Sequence, residues 1–114
     1  AQARQDAAAA QQAERSYERT RPPREHKMDF QTLVLSLSTT AMYQLGLIAD
    51  AAGGAPQPDL DAARQTIDML GVIEEKTRNN LTAEENHLLA QVLYELRMSY
   101  VALSRRQNGS TSRK

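Results

Sequence analysis

The chain of 114 residues is long enough for one small domain, and it has no Cys, which excludes disulfides, thiolate metal sites and Cys nucleophiles. Aromatic residues make up only 4% of it, with no Trp, so a platform for stacking nucleic-acid bases is not expected. The net charge of zero hides an asymmetry. Residues 29–96 hold ten acidic and three basic residues, a net charge of −7, whereas residues 97–114 hold five basic residues and no acid. The basic end fits either a solvated helix end or contact with an anionic partner.

The N-terminal segment is predicted to be a flexible or partner-ordered arm over residues 1–28. It is rich in Ala, Gln and Arg, which favour helix, but Tyr17 is its only large apolar side chain before residue 28. A helix here would have no apolar stripe to bury, so we expect it to form only when a partner orders it. Pro22 and Pro23 end any such helix before the domain begins.

A three-helix domain is predicted over residues 29–105, and its first helix covers about 30–45. Asp29 is a suitable N-cap, because its carboxylate can accept a hydrogen bond from a free amide of the first turn. Gly46 can take the left-handed conformation that ends a helix, with Leu47 folding back beneath the last turn. Apolar residues recur at helical spacing, and we expect them to face the core: Phe30, Leu33, Val34, Leu37, Ala41, Leu45 and Ile48.

Two further helices are predicted over about 60–77 and 83–105. The second opens after Asp59, and Asn79 or Asn80 can form a left-handed turn after it. The third opens with Thr82 and Glu85 at the spacing of a capping box. Residues 106–114 are predicted to be a disordered tail. The expected fold is therefore all-α.

The segment "FQTLVLSLSTTAMYQLGLIA" (residues 30–49) carries no charged residue. Seven polar side chains and Gly46 argue against a membrane span, although the length fits one. A helix without charge all round is usually buried all round, and two helices of the same chain cannot cover it. We therefore predict a homodimeric bundle with this helix at the interface; the alternative is a helix that exposes a mild Ser/Thr face. The predicted interface comprises Leu33, Ser36, Leu37, Thr40, Tyr43, Gln44 and Leu47.

The motifs "LSL…LGLI", "QTID", "EEKT…NLT" and "LYELRMSY" occur in this order, and the chain resembles the bacterial family DUF1844, a domain of unknown function, over about residues 29–102. Ala49 stands where the family would have Pro, and Asn79 stands where it would have Gly. Asn also tolerates a left-handed turn, so neither departure changes the expected fold. The resemblance implies a small, soluble, helical bacterial protein. It implies no activity and no site residues.

The functional prediction is a non-enzymatic, homo-oligomeric module that binds an unidentified protein in the cytoplasm. We predict no catalytic residue, no cofactor and no metal. Glu84 and His87 have the Glu-x-x-His spacing of di-iron bundles, but such a site needs a further inward Glu from each chain, and capping and the helix dipole explain the acids of the first turn. The alternative is an accessory protein of RNA or the ribosome. Its phosphate contacts would be Arg15, Arg19, Arg21, Arg24, Arg105 and Arg106.

Overall fold

The computed structural model describes residues 2–23, 28–49, 53–54 and 57–112, with the backbone alone described beyond Gln107. The described residues form four helices and no strand: α1 (Gln2–Arg19), α2 (Phe30–Leu45), α3 (Leu60–Lys76) and α4 (Ala83–Ser112). The all-α fold is confirmed, but the predicted number of three helices is wrong. The arm contains a helix of its own, because Ala, Gln, Glu and Arg favour helix even where no apolar face can dock.

The three domain helices begin at the predicted caps. Thr32 N donates to Asp29 Oδ1 at 2.8 Å, and Ala62 N donates to Asp59 Oδ1 at 3.1 Å. Thr82 and Glu85 form the predicted capping box, with each backbone N–H donating to the side chain of the other residue. These starts were predictable because a cap depends on neighbours within one turn.

The predicted end of α2 is also confirmed. Gly46 adopts φ 79°, its N–H donates to Tyr43 O, and the N–H of Leu47 donates to Met42 O, both at 3.0 Å. This pair of bonds is a Schellman motif. The left-handed residue predicted after the next helix is Asn79, at φ 66°.

The predicted end of the last helix is wrong, because α4 continues past residue 105 to Ser112. A glycine ends a helix when it turns left-handed and an apolar residue folds back on the last turn. Gly109 is followed by Ser110, Thr111 and Ser112, so no such apolar residue is present. Without that stop, the helix adds one hydrogen bond for each residue that it fixes.

The core lies where α2, α3 and α4 pack against one another. Three of its ten buried apolar residues come from α2, three from α3 and four from α4: Val34, Ala41, Leu45, Ala63, Ile67, Leu70, Leu89, Val92, Leu93 and Leu96. A side-chain hydrogen bond joins α2 to α3, since Thr66 Oγ1 lies 2.6 Å from Gln44 Oε1. Within the described residues, α1 contacts none of the other three helices. This packing places one side of α2 on the core and leaves the other side outward.

Candidate functional site

The outward side of α2 is the candidate functional surface. Helical spacing brings five residues together on the side opposite the buried residues Val34, Ser38, Ala41 and Leu45. We call this surface the α2 face: Thr32, Ser36, Thr39, Thr40 and Tyr43. Four of the five are exposed and Tyr43 is half-buried, and none carries a charge. The surface is therefore weakly polar, although it belongs to a strongly acidic part of the chain.

Hydroxyl groups on the α2 face already have partners on their own helix. Thr39 Oγ1 donates to Leu35 O at 2.9 Å, and Thr40 Oγ1 donates to Ser36 O at 3.1 Å. A hydroxyl that bonds the carbonyl four residues earlier needs no partner from water. If a partner covered these two threonines, each hydroxyl proton would keep its acceptor. A common penalty for burying polar groups is therefore avoided.

Apolar side chains border the α2 face. Leu33 is 39% exposed, so it departs from the core-facing position predicted for it, and Leu47, predicted at the interface, is 51% exposed. Ser38 is buried instead. Helix α2 is rotated so that the small side chain of Ser38 faces the core. Leu35 is likewise 50% exposed. Together these leucines make the border of the α2 face more apolar than its centre.

The seven residues of the predicted interface do not all share one surface. Ser36, Thr40 and Tyr43 lie on the α2 face, with Leu33 and Leu47 at its border. Leu37 is half-buried and packs against the core. Gln44 is half-buried and bonds Thr66, so it joins α2 to α3 within the chain. The dimer itself stays a prediction.

An open groove of about 460 Å³ continues the apolar surface between α2 and α4. Ser38, Met42 and Leu47 line one side of it, and Tyr94 and Met98 belong to the opposite side. Tyr94 is 66% exposed. Sequence reasoning missed Tyr94 and Met98 because they lie outside the inner seam of α4. Their spacing of four residues on a helix was the available signal.

The arginines proposed to contact an anionic partner occupy separate places. Arg15 and Arg19 lie on one side of α1, where they line a shallow depression with Gln12. Arg21 pairs with Glu18 at 3.3 Å. Arg105 and Arg106 are exposed near the end of α4, and Arg24 lies outside the described residues. The described part of the chain does not gather these cations into one site.

The described residues contain no helix long and apolar enough to cross a membrane. Among the same residues, no group of three His, Asp or Glu side chains is placed to hold a metal ion. Glu84 and His87 are both exposed in the first turns of α4. The α2 face and the groove between α2 and α4 are therefore the candidate surface for contact with another molecule.

A comparison with protein families identifies the domain to which the α2 face belongs. The family model DUF1844, described as a domain of unknown function, matches residues 27–102. The chain belongs to the DUF1844 family. The matched range contains all of α2 and α3 and most of α4, whereas α1 lies outside it. The α2 face is thus part of the DUF1844 domain. No curated protein and no solved structure matches the chain.

Proposed function

We propose that this DUF1844 domain is a non-enzymatic module that forms a homodimer through the α2 face and binds another protein as that dimer. The observation that carries the proposal is the uncharged surface of α2. This surface lies within residues 29–96, which carry a net charge of −7. We place the module in the bacterial cytoplasm, where a chain without Cys has no disulfide to lose.

A second copy suits the α2 face because of its charge. In a two-fold symmetric contact the same patch meets itself, so a charged patch would set like charges opposite each other. Residues 29–96 carry a net charge of −7, so two copies of this part of the chain repel one another where acidic surfaces meet. The charge-free segment from Phe30 to Ala49 avoids this repulsion, which favours self-association through α2.

The side chains of the α2 face also suit close packing. Ser36, Thr39 and Thr40 are small, so two helices can approach closely along this side. The bordering Leu33 and Leu47 add apolar area, which contributes about 25 cal/mol for each Å² removed from water. Tyr43 adds one larger side chain with a polar tip. We expect these contacts to form the centre of the dimer.

Thr40→Arg tests the dimer. The exposed position tolerates Arg within one chain, and Arg favours helix more than Thr does, but two guanidinium groups would meet across the two-fold axis. We expect wild type to show twice the chain mass of 12.7 kDa in light scattering after gel filtration, and the variant to show 12.7 kDa.

Gln91→Arg is the matched control, since it adds the same charge at an exposed position of α4. The new Arg can still pair with Glu95, which Gln91 contacts at 3.4 Å. The control should remain dimeric. A wild-type chain that is folded and monomeric at the highest concentration tested contradicts the proposal.

The second candidate function is association with RNA or the ribosome. The placement of Arg15 and Arg19 on one side of the exposed helix α1 favours it. Arg15→Gln with Arg19→Gln should then weaken RNA binding and reduce its salt dependence, with a slope change tracking the two lost phosphate contacts. Gel-shift titrations at several salt concentrations measure this slope. An unchanged slope rules out these two arginines as the contacts.

A further inference from the structure

A second groove, of about 300 Å³, lies between α3 and α4. Its apolar part consists of Ile67, Tyr100 and Val101. Ile67 is buried and Tyr100 is half-buried, so much of this apolar part belongs to the packed body. The remaining lining residues are charged: Arg64, Asp68 and Arg97. We call this surface the α3–α4 groove. Its volume is at the lower end of the range found for small-molecule pockets.

Two guanidinium groups line the groove, and neither is fully engaged. Arg64 Nε lies 3.8 Å from Asp68 Oδ2, which is too long for a hydrogen bond, and both side chains are about two-thirds exposed. An ion pair this exposed contributes little to the stability of the fold. The guanidinium carbon of Arg64 lies 5.6 Å from the centre of the Tyr100 ring, which holds this cation over the apolar part. Both arginines can still donate hydrogen bonds to a ligand.

Arg97 reaches across the groove to the backbone of α3 at Gly71. A Cβ atom added to Gly71 would lie only 3.2 Å from Arg97 Nη2. Glycine inside a helix is about 1 kcal/mol less favourable than Ala. Helix α3 thus has its least helix-favouring residue where the guanidinium of Arg97 lies. No hydrogen bond or ion pair engages Arg97 within the described residues, so this cation beside Gly71 retains its donors.

We propose that the α3–α4 groove binds a carboxylate attached to an apolar body. The carboxylate would accept hydrogen bonds from Arg97 and Arg64, because a guanidinium fork matches the two oxygens of a carboxylate. The apolar body would lie on Ile67, Tyr100 and Val101. The charge within the groove favours this ligand, because two cations face one anion there. The same chemistry occurs in a free alkyl carboxylate and in the C-terminus of a peptide that ends in an apolar residue.

In the experiment, octanoate or 1-octanol is added in steps to the full chain. Calorimetry measures the affinity, and amide chemical shifts locate the site. We expect saturable binding of octanoate, with shifts at Ile67, Gly71 and Tyr100, and at least about tenfold weaker binding of octanol. Arg97→Met should weaken octanoate binding by about tenfold or more, whereas the matched change Arg106→Met should not. Equal binding of octanol and octanoate overturns the proposal, as does an unaffected Arg97→Met variant.

Two more variants separate binding from folding. Gly71→Ala should raise the melting temperature, because Ala favours helix, and leave octanoate binding nearly unchanged, because the flexible end of Arg97 need move by only a few tenths of an ångström. Asp68→Asn should strengthen binding, since it removes the anion that competes for Arg64. Unchanged or weaker binding in Asp68→Asn overturns the role of Arg64.

Two peptides distinguish the two sources of the ligand: a tripeptide that ends in a Leu carboxylate, and the same tripeptide with a C-terminal amide. The amide lacks the carboxylate and serves as the control. Tighter binding of the peptide acid than of octanoate assigns the groove to a chain terminus, and the reverse assigns it to a free carboxylate. Failure of either arm leaves the dimer proposal untouched, because the groove is lined from α3 and α4 rather than from the α2 face.

Discussion

Gly46 ends α2 where the chain returns to begin α3. Its φ of 79° disfavours other residues, and a Cβ atom there would lie 2.8 Å from Pro58 Cγ. Asp59 N donates to Gln44 O at 2.6 Å in the same place, so the incoming loop is held against the end of α2. We expect Gly46→Ala to lower the free energy of unfolding by about 2–3 kcal/mol, measured by urea denaturation.

Gly53→Ala is the matched control for that change. Gly53 has a similar φ of 82°, but no described heavy atom lies within 4 Å of the position that a Cβ would take. The control should therefore show only the cost of a left-handed Ala, about 1 kcal/mol. Equal losses in the two variants would falsify the claim that Pro58 makes Gly46 special.

Asp29 links the start of α2 to pH. The backbone N–H of Thr32 donates to its carboxylate, and this hydrogen bond lowers the pKa of Asp29 below 3.8. A lowered pKa stabilises the folded state above pH 3.8, and this contribution is lost as the pH falls through the folded pKa. Asn caps a helix about as well but does not titrate.

We therefore expect Asp29→Asn to melt below wild type at pH 7 and to approach it as the pH falls below 3.8. Thermal melts of both chains across this range measure the difference. A difference that stays constant with pH shows that the Asp29 charge does not stabilise the start of α2.

At the scale of elements, α1 differs from the other helices because it buries no residue. Tyr17, its largest side chain, is 70% exposed. Within this chain Tyr17 therefore does not dock α1, and the proposal that a partner orders the arm stays a prediction. Deleting residues 1–27 should leave the melting temperature of the remaining chain within about 2 °C of wild type, because no core contact is lost.

A larger fall in melting temperature on this deletion shows that the arm stabilises the domain, either within one chain or across a dimer. Light scattering on the shortened chain separates these two outcomes. If α1 contacts a second copy, the shortened chain also loses dimer mass, whereas contact within one chain leaves the mass ratio unchanged.

At the scale of the whole molecule, dimerisation would couple stability to concentration. A ligand or subunit that binds only the folded state raises its apparent stability by mass action. The melting temperature of wild type should therefore rise with protein concentration, whereas that of Thr40→Arg should not. Differential scanning calorimetry over a hundredfold range of concentration measures both. A wild-type melting temperature independent of concentration argues against the dimer without reference to hydrodynamic size.

Local interactions made much of the domain predictable. Asp29, Asp59 and Thr82 cap their helices through bonds to amides three residues further along the chain, and Gly46 ends α2 through bonds to the last turns of that helix. Such contacts depend on a few neighbouring residues, so spacing and residue type are enough to place them. The all-α fold follows from the same signals.

Packing decided what the sequence could not. Whether Leu33 or Ser38 faces the core depends on how α2 is rotated against α3 and α4, and apolar periodicity leaves that angle open by about one residue. Likewise Gln44 meets Thr66, and Arg97 meets Gly71, across more than twenty residues of chain. Except for the end of α4, the sequence by itself determined the helices of the domain, their caps and the absence of charge on α2. Only the tertiary structure decided which side of α2 is exposed and that the α3–α4 groove exists, because both depend on how separate helices are rotated against one another.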